Sequence, residues 1–294
     1  MGAGIDFLRF RSAYNIDRTT IGSIAYRYQR ITRQLNWDFW GVDSSIAHSR
    51  YVGSYGRDTA ARGVSDLDIG FLLPGYMYGQ YDAYIGNGQS ALLQAVKRSI
   101  QGTYATSVSF GDGQVVVVAF SDGITFEVLP AFAASDGSWI YPSANAGGTW
   151  KRCNPRAEIA AIKAVSDATN RNLKYLCRMM RIWRDYWGVP ISGMLIDTLA
   201  YRFILDWPYR NRSFAYHGWM ARDFFGHLAR QRRDQRYWYA PGSNSLVYRK
   251  GPFEQRARQA HAFALDANEF DAKGQGWSRR MRWRQIFGPL YPPN

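Results

Sequence analysis

The chain has 294 residues, with 37 Lys and Arg against 23 Asp and Glu (formal net charge +14), and is 46% hydrophobic and 16% aromatic. That apolar share excludes a disordered chain, and the length suits one large domain or two modest lobes with a proper core. The longest purely aliphatic run, residues 115–119, is too short to span a membrane, and the first eleven residues lack a signal-like apolar stretch, so the cytosol is the expected compartment. Two cysteines, Cys153 and Cys177, and four scattered histidines argue against a disulfide framework and a His-based metal site. The positive charge favours anionic partners such as nucleic acid, acidic lipid or nucleoside triphosphates, with general solubility as the plain alternative. Much of it lies beyond residue 150, in stretches such as Arg230-Gln231-Arg232-Arg233 and Arg279-Arg280-Met281-Arg282-Trp283-Arg284, the second of which sets an aromatic residue among basic ones.

In chain order, residues 14–40 read as one long helix, with Ile21, Ile24, Ala25, Tyr28, Ile31 and Leu35 at three- and four-residue spacing. A strand is expected over 46–52, then a Gly-bearing turn at Gly53-Ser54-Tyr55-Gly56, and a strand over 66–73 ended by Pro74-Gly75. After a helix over 90–101, three strands (104–110, 114–120, 124–129) are separated by Asp-Gly turns and closed by Pro130, the pattern of an antiparallel meander. Residues 142–149 read as a small-residue loop and a lobe boundary. Asn154-Pro155 then opens a helix, with Asn as a good N-cap and Pro at the first helical position. Helical pattern continues to Trp187 with a break near 170–172, and recurs over 192–207, 214–232, 252–272 and 278–287. The tail from 287 to 294 cannot continue a helix and reads as exposed. The expected class is therefore α+β: a mixed-sheet lobe with a long N-terminal helix over 1–150, then a helical lobe over 151–294.

Chemistry concentrates in two strands. Residues two apart in a strand share a face, so Asp66 and Asp68 point together while Leu67, Ile69 and Phe71 fill the other side. Two carboxylates so close repel unless a cation lies between them, and oxygen-only ligands on a rigid strand suit Mg²⁺. Glu127 is the only charge on the apolar strand 124–129. If that strand lies beside the first, three carboxylates converge as a two-metal phosphoryl-transfer site requires. The preceding Gly53-Ser54 turn offers backbone N–H groups and a hydroxyl to phosphate. Taken alone, an Asp-x-Asp is more often an exposed edge-strand pair; the combination is what is specific.

These residues resemble the polymerase-β-like nucleotidyltransferase superfamily, whose pattern is Gly-Ser, a spacer, a paired acid motif on a strand and a later acid on another. Within it, Gly53-Ser54-Tyr55, Arg57-Asp58-Thr59 and Ser65-Asp66-Leu67-Asp68-Ile69 look most like the bacterial cGAS/DncV-like enzymes, which make cyclic di- or trinucleotide messengers in anti-phage signalling. The residues 126–131 are similar to their third-acid strand. Residues 176–183 are similar to their basic helix, with Arg181 two before Trp183, and residues 192–195 to the start of the next helix, where a Ser contacts the triphosphate. The chain departs in three places: Glu127 stands where Asp is usual, Asp58 where Gly is common, and Gly193 where an aromatic residue often follows the serine.

The resemblance implies a polymerase-β-like lobe and a helical lobe with the active site in the cleft between them. It implies two Mg²⁺ ions, or Mn²⁺, on Asp66, Asp68 and Glu127, and ATP or GTP held by Gly53, Ser54, Arg181 and Ser192. For Arg181 the plainer reading is a surface arginine lying over Trp183, and for Ser192 a simple N-cap. Two other functions stay open: a template-independent transferase making linear oligonucleotides or extending RNA, and a non-catalytic module whose basic lobe binds nucleic acid. In some relatives a partner protein joins or captures the tail, so the resemblance implies a regulatory partner there; no membrane partner is expected.

Overall fold

The computed structural model describes residues 2–293 except 65, 106 and 112, with residues 108–111 described through their backbone alone. Ser65 of the acidic motif and Asp112 of the first expected turn thus lie outside the described residues. The elements are α1 (Ala3–Tyr14), α2 (Arg18–Trp40), β1 (Ser49–Tyr51), a single turn α3 (Gly53–Gly56), β2 (Asp66–Leu72), α4 (Tyr76–Asp82), α5 (Gly88–Thr103), β3 (Val108–Gly111), β4 (Val116–Ala119), β5 (Thr125–Ala133), β6 (Trp139–Ser143) and β7 (Thr149–Cys153). There follow α6 (Pro155–Ala168), α7 (Asn172–Trp187), α8 (Gly193–Asp206), α9 (His217–Ala229), β8 (Tyr237–Tyr239), β9 (Leu246–Tyr248), α10 (Glu254–Ala272) and α11 (Gly276–Phe287). No helix among the described residues is long and apolar enough to cross a membrane.

By packing, the chain divides into two units. One comprises Asp17–Gly56 and Gly63–Arg156; the other comprises the segment up to Ile16, Arg57–Arg62 and everything from Ala157 onward. The first unit is a mixed sheet in the order β1-β2-β5-β4-β3, extended by β6 on β5 and β7 on β6. Among the described residues β2 and β5 run parallel and the remaining pairs are antiparallel, including the expected β3-β4-β5 meander. Leu67, Ile69, Phe71, Phe126 and Val128 form one fully buried face, covered by Ile24, Ile31 and Leu35 of α2 and by Leu92, Val96 and Ile100 of α5. Burying side chains of this size stabilises by roughly 1.5–3 kcal/mol each, which fixes the register of both strands.

Four local outcomes differ from the sequence reading. The long helix starts at Arg18, because Asp17 accepts the Thr20 N–H (2.9 Å) as an N-cap, and the chain before it forms the separate α1. Strand β5 runs through Pro130 to Ala133. The Ala131 carbonyl accepts from Leu73 N–H (2.8 Å) on the β2 side, so Pro130 faces the other edge, where β4 has ended at Val128 and β6 begins at Phe132. Its missing donor is not needed there. The stretch expected as a loop is the β6–β7 hairpin, closed by a 3₁₀ turn at Asn145–Gly147. It carries the sheet unit past residue 150 to Arg156.

In the second unit, Leu173, Leu176, Met180 and Trp183 of α7 pack with Phe224 and Phe225 of α9 and Ala257, Ala260 and Ala264 of α10. Asn170 and Arg171 take left-handed φ values of 49° and 62°, which break α6 from α7 as the sequence suggests. The tail is a correction: Tyr291 is fully buried, with its ring 5.3 Å from both Phe7 and Phe10 of α1. Arg284 clamps it by donating to the Tyr291 carbonyl (2.6 Å). The buried pair Asp6–Arg279 (2.6 Å) ties α1 to α11.

Candidate active site

Strand β2 alternates as its sequence requires: Leu67, Ile69 and Phe71 are buried, Asp66 is exposed and Asp68 is half-buried. The parallel ladder sets Asp68 directly opposite Glu127, and Asp66 opposite Thr125. Facing residues of neighbouring strands project to the same side, so Asp66, Asp68 and Glu127 lie on one face of the sheet. The other face is the apolar core, and the three acids therefore come from strands that burial has already locked in place.

The turn before β2 closes on the same carboxylates. Val52 N–H donates to the Asp68 carbonyl (2.9 Å), and Gly56 N–H donates to the Val52 carbonyl (2.8 Å), which winds α3 against β2. Gly53 has a left-handed φ of 56°, and a Cβ added to it would lie 1.7 Å from Asp68 Oδ2. Only glycine fits there. Ser54 follows as a half-buried residue of the same turn. Stacking of Tyr28 on Tyr51 (4.2 Å) and contact of Tyr51 with Tyr55 (4.7 Å) brace its far side.

Sequence reasoning missed the wall of this face. Gly70 is two residues beyond Asp68, and a Cβ there would sit 2.1 Å from the Trp139 ring, itself buried with Val52 and Ala131. Arg50 stands opposite Gly70 in the β1–β2 register, which places it on the carboxylate side. Partial burial and the nearby positive charge of Arg156 push its pKa down. The signal for Trp139 was the Gly in β2, since a glycine inside a strand often marks close approach by another group.

The anionic donors on this face, Asp66, Asp68 and Glu127, are all carboxylates, which suits a hard divalent ion such as Mg²⁺ or Mn²⁺ rather than Zn²⁺. The notch left by the missing Gly53 side chain is filled by the Asp68 carboxylate, which holds that oxygen donor against the turn, so the residues fit such an ion. Among the described residues, no three His, Cys, Asp or Glu side chains are already drawn together as a metal cage.

Arg181 and Ser192 fall in the other unit, whereas Gly53, Ser54, Asp66, Asp68 and Glu127 share the sheet unit. Arg181 is not the surface arginine expected as its plainer reading. It is buried, donating from Nη1 to Asp197 Oδ1 (2.6 Å), from Nη2 to Asp197 Oδ2 (3.0 Å) and from Nη2 to the Gly193 carbonyl (3.1 Å). Asp197 also accepts from Arg57 Nε (3.0 Å) and Thr59 Oγ1 (2.9 Å). Burial alone would raise the Asp197 pKa, but the guanidinium charges of Arg181 and Arg57 outweigh it and hold the carboxyl at about 2. Ser192 caps α8 by accepting the Leu195 N–H (3.1 Å), which leaves its hydroxyl proton to donate elsewhere. Asp58, where the resemblance led one to expect Gly, has a left-handed φ of 58° and pairs with Arg178, Lys174 (3.1 Å) and Arg171 (3.6 Å).

A family profile described as the Second Messenger Oligonucleotide or Dinucleotide Synthetase domain matches residues 1–165, more than half of the chain. The chain belongs to that family. It is a nucleotidyltransferase of the cyclic oligonucleotide synthase type, as its strand acids and Gly-Ser turn led one to expect. The fold agrees. Escherichia coli MS115-1 CdnC, solved with ATP, superposes with a TM-score of 0.71 at 14% identity, covering 98% of each chain. The Bradyrhizobium diazoefficiens CD-NTase CdnG, in complex with GTP, gives 0.66 at 15% identity over 98% of this chain and 94% of that one. Vibrio cholerae DncV gives 0.65 at 16% identity over 83% of this chain and 69% of its own. A comparison with curated proteins brought no match. Within the synthetase family profile fall every residue of the β2 and β5 carboxylate face and the Gly53 turn, while Arg181 and Ser192 lie beyond it.

Proposed function

We propose that this synthetase joins ATP, GTP or both into a cyclic di- or trinucleotide messenger, acting in the cytoplasm in bacterial anti-phage signalling. The observation that carries the reading is the parallel register of Asp68 with Glu127 beside the Gly53 turn. Asp66 and Asp68 would hold two divalent ions, with Glu127 on one of them; when bound, such ions stabilise charge on the attacking oxygen and on the triphosphate.

The chain's own groups then have distinct tasks. The Gly53–Ser54 turn presents backbone N–H groups and a hydroxyl to the β- and γ-phosphates. Ser192, the N-cap of α8, keeps its hydroxyl proton to donate and would give it to a triphosphate oxygen. Arg181 enters as a positioning residue, because its guanidinium is committed to Asp197 and to the Gly193 carbonyl next to Ser192. A ribose hydroxyl attacks the α-phosphorus in line. The new O–P bond forms as the bond to pyrophosphate breaks, and the hydroxyl proton leaves on the carboxylate side. A second round with the roles of the two nucleotides exchanged closes the ring.

CdnC is also solved in complex with a HORMA protein. By analogy we infer a regulatory protein partner here, but burial of Tyr291 restricts any tail contact to the residues beyond it. The reading is tested by incubating the protein with labelled ATP and GTP and Mg²⁺. A small phosphatase-resistant product supports it; a linear product, or a requirement for added RNA, supports a template-independent transferase instead.

A further inference from the structure

The hairpin β8–β9 lies outside everything assigned above. Its inner face is Trp238 and Val247, 2% and 8% exposed, while Tyr237 (42%), Tyr239 (51%), Leu246 (45%) and Tyr248 (62%) cover the outer face. The antiparallel register sets Tyr237 opposite Tyr248 and Tyr239 opposite Leu246, so the four side chains form one patch. Ring centroids of Tyr237 lie 5.7 Å from Tyr239 and 6.3 Å from Tyr248, crossed at 80° and 63°. An edge-to-face contact occupies one face of one ring of each pair, and the exposure of these three tyrosines leaves the remaining ring surface open to solvent.

The surroundings are basic. Residues 230–250 hold six Lys and Arg and a single acid, Asp234. Asp234 is paired with Arg232 (2.7 Å), and Arg249 is tied inward to Glu254 (2.6 Å). Arg233, Arg236 and Lys250 are exposed and have no ion-pair partner among the described residues. Arg202 donates to the Tyr239 carbonyl (3.2 Å) and, with Arg232, Arg236, Tyr237 and Tyr239, lines an open groove of about 480 Å³ along the hairpin.

We propose that this face binds single-stranded nucleic acid, with bases stacked on Tyr237, Tyr239 and Tyr248 and phosphates taken by Arg233, Arg236 and Lys250. Every base has a π-face, so tyrosine platforms accept a strand without regard to sequence, and flanking cations track its backbone. A second copy of the chain is disfavoured as the occupant, because it would bring the same cations against these without acids to meet them.

The test is fluorescence anisotropy with labelled oligouridine and oligodeoxythymidine of about 20 nucleotides, at about 50 and about 200 mM salt. The expected result is binding that weakens as salt rises and that falls at least tenfold in a Tyr237→Ser, Tyr239→Ser, Tyr248→Ser variant of unchanged Tm. An Arg233→Gln, Arg236→Gln variant should show a shallower salt dependence, by about one unit of slope per lost phosphate contact. The ratio of the two affinities distinguishes RNA from DNA as the source of the strand. No binding at the lower salt, an unchanged affinity in the tyrosine variant, or tyrosine-dependent dimerisation in place of oligonucleotide binding would overturn the proposal.

Discussion

The Asp68 carboxylate occupies the space where a side chain on Gly53 would have to be, with Oδ2 only 1.7 Å from the ideal Cβ position. Turn and acid are thus built as one unit. Gly53→Ala would either displace Asp68 or unwind the turn, on top of the strain of a left-handed alanine. Misplacement by about 1 Å at a reacting centre costs on the order of a hundredfold in rate. Pyrophosphate release should fall by that factor or more while the far-ultraviolet circular dichroism stays unchanged. Full activity in Gly53→Ala would show that the contact is irrelevant to the chemistry.

Glu127 faces Asp68 across the parallel β2–β5 pair. Glu127→Gln keeps the size and removes the charge, so the fold should hold. Tm should stay the same or rise slightly, because repulsion between neighbouring carboxylates is relieved. Turnover should drop by roughly a thousandfold, the scale of losing a group that stabilises transition-state charge. Mn²⁺ binding followed by electron paramagnetic resonance should weaken in the same variant, a readout that does not depend on turnover.

Asp197 is the hub of a buried network rather than a solvent-facing acid. Asp197→Ala would strand the buried Arg181 guanidinium without a counter-charge and leave Arg57 only its longer pair with Glu158 (3.5 Å), and breaking a buried pair in this way costs about 3–5 kcal/mol. Urea unfolding should show a loss of that order. A loss below about 1 kcal/mol, the range of a surface pair, would contradict the burial.

His217 is buried, with Nε2 3.0 Å from Asn172 Oδ1. Burial, reinforced by the positive charge of Arg11, holds its pKa down from the usual 6.5 to about 3. A folded-state pKa below the unfolded value gives stability that is complete above the unfolded value and is lost as pH falls toward the folded one. Tm should therefore decline from about pH 6.5 downward, and His217→Gln should flatten that part of the profile. A wild-type Tm constant between about pH 6.5 and 4 would refute the assignment.

Much of the carboxylate face was legible in the sequence because its determinants are local. Alternation in residues 66–72 and the lone Glu127 on an apolar strand state which side chains face which way, and Asn154-Pro155 announces α6 directly. What escaped depends on partners far along the chain. Phe7 and Phe10 are helix-spaced but are buried largely by residues far along the chain, among them Trp283, Phe287 and Tyr291. For Arg181 the sequence offers a nucleotide ligand or a surface arginine, and its burial against Asp197 on the next helix is legible in neither. Hairpins β6–β7 and β8–β9 are built from strands of five and three residues, too short for alternation to stand out.

The most direct test of the central claim is mass spectrometry of the product formed from ATP and GTP by the wild type, Asp68→Asn and Glu127→Gln, each with Mg²⁺. The expected result is a cyclic product, its mass lacking any terminal phosphate, from the wild type and none from either variant. Substantial cyclic product from Glu127→Gln or Asp68→Asn would place the chemistry elsewhere.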